Sequence, residues 1–308
     1  MEEKMPVLSY MDNIFKLSHC FVNRDYSSIR DEILSMKEEL NYRYEESGEV
    51  WGYRITKNMP VSRLYGFDAY VVRFYFTKVD TLHNVHQEQI MEKLFDALRH
   101  EMEVCRGYYN LRLPAHVVDV MKGFNKYMAG GIFCGGTVEQ VVSGKEVEIP
   151  EREGIRVFFA EREYLKEHRE QLLEMTYSSF ASYQGQYHIS SVTDEKAGVI
   201  YENWIESYFE NFEDNRIFVV EYEGEPIGFC TIGEDEHVVE GQLSAISARH
   251  RKLGGYRTLI SSLINYAYKN GKSFTASTQF DNYIVQGTWN SLGMKPYFSF
   301  YNVHFDNR

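Results

Sequence analysis

Proline is scarce in this chain: 308 residues hold six, and no low-complexity tract accompanies them, which argues against long disordered linkers. Cysteine is scarce too. Cys20, Cys105, Cys134 and Cys230 are scattered, with no CxxC pair and no metal-ligand spacing, and they read as reduced, mostly buried thiols of a cytoplasmic protein. Basic charge is outweighed, 33 Lys and Arg against 45 Asp and Glu, for a formal charge of −12. A surface that acidic repels phosphate backbones and anionic lipid, so nucleic-acid and membrane partners are disfavoured, while a local basic patch can still hold a small phosphorylated ligand. No apolar run approaches the length that spans a bilayer, and Met1-Glu2-Glu3-Lys4 lacks the basic-then-apolar pattern of a secretory signal. A GxGxxG fingerprint and a Walker A motif are both missing, which disfavours NAD and ATP. His83 and His86 form an HxxH without a third ligand nearby, and no metal is expected.

What is abundant is aromatic: 24 Tyr and 20 Phe among the 15% of aromatic residues. Their placement with Val and Ile predicts strands at Val50–Thr56, Tyr70–Thr77, Tyr108–Leu113 and Ile132–Val142 in the first half. Helices are predicted around Ile29–Leu40, over Val85–Cys105 (Ile90, Leu94, Phe95, Leu98 and Met102 at helical spacing) and over Ala115–Tyr127. The stretch Val142–Arg152 combines Ser-Gly-Lys, alternating charge and a proline, and is the best boundary in the chain. It divides an N-terminal α/β domain, 1–150, from a C-terminal domain, 151–308. The second half predicts strand Ile155–Ala160, a charged helix through Phe180, a helix over Thr193–Asn211 and a hairpin turning at Gly224-Glu225. Strand Glu240–Ser247, helix Tyr256–Asn270, strand Ser273–Gln279, helix Asn282–Leu292 and strand Tyr297–Phe305 complete it. Hairpins mixed with crossovers make the class α/β with a mixed sheet.

Chemistry concentrates at 243–259, where a strand runs into a basic, glycine-containing turn that opens a helix. Free amides at a helix start form an anion site together with the dipole. Glycines let the backbone approach a phosphate, and Arg249, Arg251, Lys252 and Arg257 supply positive charge. Turn composition alone serves equally well for solvated basic residues leading into a helix.

The run Arg251-Lys252-Leu253-Gly254-Gly255-Tyr256 resembles the R/Q-x-x-G-x-G/A pyrophosphate loop of the GNAT (GCN5-related N-acetyltransferase) superfamily. Ile246 stands where that family ends its central strand. Downstream, Ser277–Asn282 and Trp289-Asn290-Ser291-Leu292-Gly293 resemble the family's closing strand, Asn-headed helix and Leu-Gly turn. A narrower resemblance, to acetyltransferases of nucleotide-linked 4-amino-4,6-dideoxy sugars of the dTDP-fucosamine type, rests on Tyr201–Ile205, Asn265–Lys272 and Thr278–Asn282. It implies a GNAT fold, a mixed, centrally splayed sheet flanked by helices, preceded by an N-terminal partial GNAT-like domain. Arg63–Phe67 fits such an extension.

The resemblance further implies acetyl-CoA as cosubstrate, a small-molecule amine as acceptor and direct acyl transfer; a homodimer is left open. Ser244 to Ile246 would pair with the pantetheine arm. Arg251, Lys252, Leu253, Gly254, Gly255, Tyr256 and Arg257 would hold the pyrophosphate, with Asn282 and Trp289 on the far side. Tyr183, Tyr187 and His188 would cover the acceptor, although aromatic stretches more often pack than bind. Glu240 is a candidate general base, against the commoner role of a solvated strand-end carboxylate. Tyr297 and Tyr301 alternate with Phe298 and Phe300, either hydroxyl serving in principle, and Tyr301 joins Glu240 as a catalytic candidate. Two positions depart from the pattern. Tyr256 replaces the loop's last small residue, and Trp289 stands where many relatives carry a Tyr that protonates the leaving thiolate. An indole N–H is a donor but not a usable acid.

Overall fold

Two tight turns set how the chain's hairpins close. Ser47 and Gly48 have φ of 52° and 78°, and Glu223 and Gly224 have φ of 51° and 90°. Positive φ at both central residues matches the right-handed twist of the strands on either side. These turns belong to a computed structural model that describes residues 34–35, 37–76, 85–115, 118–181, 183, 185–210 and 216–308. The helix expected over Ile29–Leu40 falls mostly outside the described residues, with a single 3-10 turn at Lys37–Glu39. His83 also lies outside them, and His86 Nε2 meets the Glu46 carboxylate.

In chain order the elements are β1 (Tyr42–Glu46), β2 (Glu49–Lys57), α1 (Met59–Tyr65), β3 (Ala69–Phe76), α2 (Val85–Val104), β4 (Tyr108–Pro114), α3 (Val118–Tyr127) and β5 (Ile132–Val142). Then come β6 (Ile155–Phe159), α4 (Arg162–Glu167), α5 (Arg169–Phe180), α6 (Gln186–Ile189), α7 (Ala197–Glu210), β7 (Arg216–Tyr222), β8 (Glu225–Glu234) and β9 (Val238–Ile246). A 3-10 turn (Ala248–Leu253), α8 (Gly255–Lys269), β10 (Ser273–Gln279), α9 (Tyr283–Ser291) and β11 (Lys295–Asp306) close the chain. The charged helix expected through Phe180 is two helices, broken at His168.

Contacts divide the chain into two compact units, Met1–Gly136 with Phe298–Arg308, and Thr137–Tyr297. In the first unit β1, β2 and β3 are antiparallel neighbours, β3 runs parallel to β4, and β11 pairs antiparallel with β4. The parallel step is bridged by α2, whose Ile90, Leu94, Phe95, Leu98 and Met102 are all buried against Tyr53, Val72, Phe74, Tyr109 and Leu111. Each such side chain contributes about 1.5–3 kcal/mol of burial free energy before conformational entropy is set against it. Helix α1 is a short element that periodicity does not reveal. Asn58 Oδ1 accepts from Val61 N at 3.3 Å and Gly66 ends the helix at φ 70°.

In the second unit the strands run β5-β10-β9-β8-β7-β6, with β10 parallel to β9 and the other neighbours antiparallel. Helix α8 lays Leu259, Ile260, Leu263, Ile264 and Ala267 on Val220, Ile227, Val239 and Phe274. The alternate residues Val219, Phe229 and Thr231 are buried as well and belong to the opposite face, where α5 and α7 pack on each other and α5 on β8 and β9.

The stretch Val142–Arg152, expected as a boundary, lies inside this unit. Its composition is that of a linker, but Asn265 on α8 clamps it. Val147 N donates to Asn265 Oδ1 and Asn265 Nδ2 donates to Val147 O, both at 2.8 Å, and Val147 joins the α8 core. A contact between residues so far apart in sequence leaves no local trace. The last strand, from Phe298, belongs with the first unit rather than the second.

Candidate active site

Strand β9 carries an extra residue. Its partners on β8 step from Thr231↔Leu243 to Ile232↔Gly241, leaving Gln242 as a bulge. The bulge reverses which face the following side chains take. Before it, Val239 packs into the α8 core; after it, Ser244 and Ile246 do the equivalent. Glu240 and Gln242 take the α7 side instead: Gln242 Nε2 donates to Glu240 Oε2 at 3.0 Å, and the Tyr208 hydroxyl of α7 donates to Gln242.

The parallel register between β9 and β10 ends one residue earlier, at Gly241↔Ala276. Beyond it β9 stays with β8 as far as Ile246↔Gly228, and β10 stays with β5 as far as Gln279↔Thr137. The two strands therefore part, and an opening forms between Gln242–Ile246 and Ser277–Gln279.

The basic loop lies at the end of this opening. Gly254 has φ 81°, the left-handed region that glycine enters without a Cβ penalty. Thr258 N bonds back to Gly254 O at 3.2 Å, so the amides of Gly255, Tyr256 and Arg257 have no intrahelical acceptor. Arg249, Arg251 and Lys252 are largely exposed, and no ion pair engages them among the described residues. Leu253 is half-buried beside the α8 core. Gly255 packs where a Cβ would lie 3.3 Å from Val220. Arg257 turns away and donates to Ser291 Oγ at 2.5 Å. Sequence reasoning missed Arg152, whose Nε lies 3.2 Å from where a Gly254 Cβ would sit.

The far side of the opening is built by the start of α9 and the turn before it. Asn282 caps α9, accepting from Val285 N at 3.4 Å and donating to Thr278 Oγ1 at 2.9 Å. Trp289, 2% exposed, donates its indole N–H to the Tyr256 hydroxyl at 3.1 Å. The Tyr256 phenol also faces Ser244, and burial holds its pKa above the ordinary value. Tyr183 is half-buried, its phenol facing Thr278, Asn282 and the Gln279 backbone; burial raises its pKa too.

The other expected residues are placed differently. Tyr187 is buried edge-on against Tyr201, with ring centroids 5.7 Å apart. His188 uses both ring nitrogens internally, Nε2 with Phe180 O at 2.9 Å and Nδ1 with Asp194 at 3.2 Å. Both hold the loop in shape. Tyr301 sits in the first unit, opposite Leu113 in the ladder and packed on Phe133, and is not among the residues the second unit gathers. Tyr297 remains in the second unit, where its hydroxyl donates to the buried Glu139 at 3.0 Å.

This donor set suits a diphosphate: three amides at the helix start, a left-handed glycine with the Arg152 guanidinium beside it, and cations that no ion pair engages among the described residues. Two phenols stand at this opening and narrow it, Tyr256 beside Ser244 and Trp289, and Tyr183 beside Thr278 and Gln279.

The opened parallel pair with an anion loop at its end is the architecture of the GNAT fold, a mixed sheet flanked by helices, and the chain carries that fold. Residues 175–294 match the model of the acetyltransferase (GNAT) family. Three solved structures are similar over most of the chain. A GCN5-related N-acetyltransferase from Sphaerobacter thermophilus is 12% identical with a TM-score of 0.58, over 85% of this chain and 78% of that one. One from Kribbella flavida is 11% identical with a TM-score of 0.54, over 91% and 95%. A GNAT-family acetyltransferase from Colwellia psychrerythraea is 9% identical with a TM-score of 0.51, over 94% and 100%. No curated protein matches the sequence. The family model covers residues 175–294, and the solved structures share the fold.

Proposed function

We propose that the second unit is an acetyl-CoA-dependent N-acetyltransferase acting on a primary amine of a small molecule. The observation that carries the reading is the opening between β9 and β10 with a basic, left-handed-glycine loop at its end. The amides of Gly255 to Arg257, with Arg251, Lys252 and Arg152, would hold the pyrophosphate, and the edge of β9 around Ser244–Ile246 would receive the pantetheine arm. Acetyl-CoA supplies the activated acyl group. The amine must be neutral to attack, so its proton passes to a carboxylate or a water chain. Glu240 is the carboxylate nearest the bulge, connected through Gln242 to Tyr208. A nucleotide-linked 4-amino sugar is the favoured acceptor, on the sequence resemblance alone.

The first unit fits a partial GNAT-like half. It repeats the antiparallel pair, helix-bridged parallel step and closing antiparallel strand of the second unit. The segment Thr77–Asn84, which corresponds in order to the basic loop, contains no glycine, so cofactor binding is assigned to the second unit alone.

A second reading, an acyl-CoA-binding module without turnover, draws on one observation: the Tyr256 ring reaches into the opening. The test is binding. Acetyl-CoA should raise the melting temperature, since a native-only ligand at one hundred times its Kd stabilises by about 2.7 kcal/mol. Gly254→Val, strained at φ 81° and crowding Arg152, should abolish the rise. No shift in the wild type at millimolar acetyl-CoA overturns the reading. Binding without acetyl transfer to any of a panel of amines, nucleotide-linked 4-amino sugars included, favours the module.

A further inference from the structure

In the first unit, the sheet face turned away from α2 is basic. On β2, β3 and β4 the residues packed under α2 are Tyr53, Val72, Phe74, Tyr109 and Leu111, so by strand alternation Arg54, Arg73 and Arg112 take the opposite face. The registers align them in one row: Arg54 is opposite Arg73, Arg73 is level with Arg112, and Arg112 is opposite Asn302. Neighbouring strands lie about 4.8 Å apart, so three guanidinium side chains are rooted within about 10 Å. The flanking residues on this face, Thr56, Val71, Asn110 and His304 on one side and Tyr75 and Phe300 on the other, include no acid. Like charges set directly opposite one another on a sheet are destabilising. Arg54 has partial relief from Glu39 at 3.0 Å. Arg112 has none: it is half-buried, its guanidinium carbon lies 5.0 Å from the Phe300 ring centroid, and its Nε is buried without a hydrogen-bond partner. No carboxylate pairs with it among the described residues.

We propose that this face of the first unit binds the diphosphate group of a small molecule, with Arg112 as its central contact and Arg73 and Arg54 beside it. A guanidinium presents N–H groups in one plane that match two phosphate oxygens, and a buried N–H gains most when such an acceptor arrives. A row of three cations across neighbouring strands suits two linked phosphates better than one. The chain's formal charge of −12 opposes a long polyanion, so the ligand is a compact one. Asn110 and Asn302, 2% and 0% exposed, keep the floor around Arg112 polar without adding negative charge. No residue of the second unit contributes to this face, so the site stands or falls apart from the acetyltransferase reading.

The probe is inorganic pyrophosphate, titrated calorimetrically at fixed ionic strength into the full chain carrying Gly254→Val, in which the basic loop of the second unit no longer competes. Pyrophosphate should bind, and adding Arg112→Leu should weaken it about 10- to 100-fold, the loss expected for a hydrogen bond between charged groups. Arg54→Leu should weaken it less, because Glu39 already shares that guanidinium. Urea unfolding in the wild-type background gives a second reading that does not need Gly254→Val to fold. Without phosphate, Arg112→Leu should unfold at the same or a higher urea concentration than the wild type, since it removes a like charge and an unpaired N–H. With pyrophosphate, the gain in midpoint should be smaller in Arg112→Leu than in the wild type. A lower midpoint for Arg112→Leu without phosphate would make the arginine a structural residue and overturn the proposal. Pyrophosphate binding or stabilisation that is absent, or unchanged by Arg112→Leu, overturns it as well. Orthophosphate binding as tightly as pyrophosphate overturns the assignment to a diphosphate.

Discussion

The side chain of Asn265 offers the sharpest structural test, because it converts a stretch with linker composition into part of a folded unit. Asn265 is 6% exposed and makes two 2.8 Å hydrogen bonds to the backbone of Val147, itself 9% exposed. Replacing it with the near-isosteric Leu preserves most of the packing but orphans one buried N–H and one buried C=O. Each orphan costs about 1–3 kcal/mol, so Asn265→Leu should lose about 2–6 kcal/mol if segment 143–153 stays in place. The loss is capped if the segment lifts off instead and its backbone finds water, since the measured cost then equals the free energy of local opening. Two measurements separate these outcomes. Urea unfolding reads the global loss. Limited trypsin digestion reads the opening, because Lys145 and Arg152 both lie in the segment. We expect slow cleavage there in the wild type and at least tenfold faster cleavage in Asn265→Leu. Coenzyme A affinity should fall with it, since the same segment carries Arg152 to the Gly254 loop. Rapid cleavage of the wild type within 143–153, unchanged by the substitution, would refute the clamp.

Other outcomes follow from the same geometry. Trp289→Tyr removes a buried indole from the α8 core and breaks its bond to Tyr256, so it should destabilise the protein by about 1–3 kcal/mol and lower acetyl-CoA affinity without raising turnover; a clear rate gain at constant affinity would contradict this. His304 is buried with Nδ1 2.6 Å from the Tyr108 hydroxyl, and burial pushes its pKa down to about 3. Below pH 6.5 the unfolded chain therefore binds a proton that the native one refuses, and stability is lost as pH falls from about 6.5 toward 3, by about 3 kcal/mol at pH 4.5. His304→Gln should flatten that part of the stability–pH curve, and an unchanged slope would show that other groups carry it. Asn58→Ala should cost about 1 kcal/mol by removing the cap of α1, read as a lower urea midpoint at unchanged slope.

Local pattern determined much of this protein. The hairpin at Gly224, whose turn falls at Glu223-Gly224, one residue before the expected Gly224-Glu225, the buried face of α2, the strands Ile132–Val142 and Ser273–Gln279 and the helix opened by the basic loop all follow from short-range periodicity, glycine placement and β-branched content, because those are the forces that set them. The basic loop of the candidate site was legible for the same reason, its residues being consecutive in the chain. Tertiary structure alone decided what depends on pairs distant in sequence. Val147 with Asn265, Arg152 with Gly254, and Tyr256 with Trp289 are joined only once α8 packs on the sheet. The bulge at Gln242 is likewise invisible in the alternation of β9, since an extra residue is defined by the register of its partner strand, and it is what separates Glu240 from Ser244 onto opposite faces. Tyr301 moved to the first unit for a related reason: a strand's pattern reveals that it alternates, but which strand it pairs with is settled by the rest of the chain.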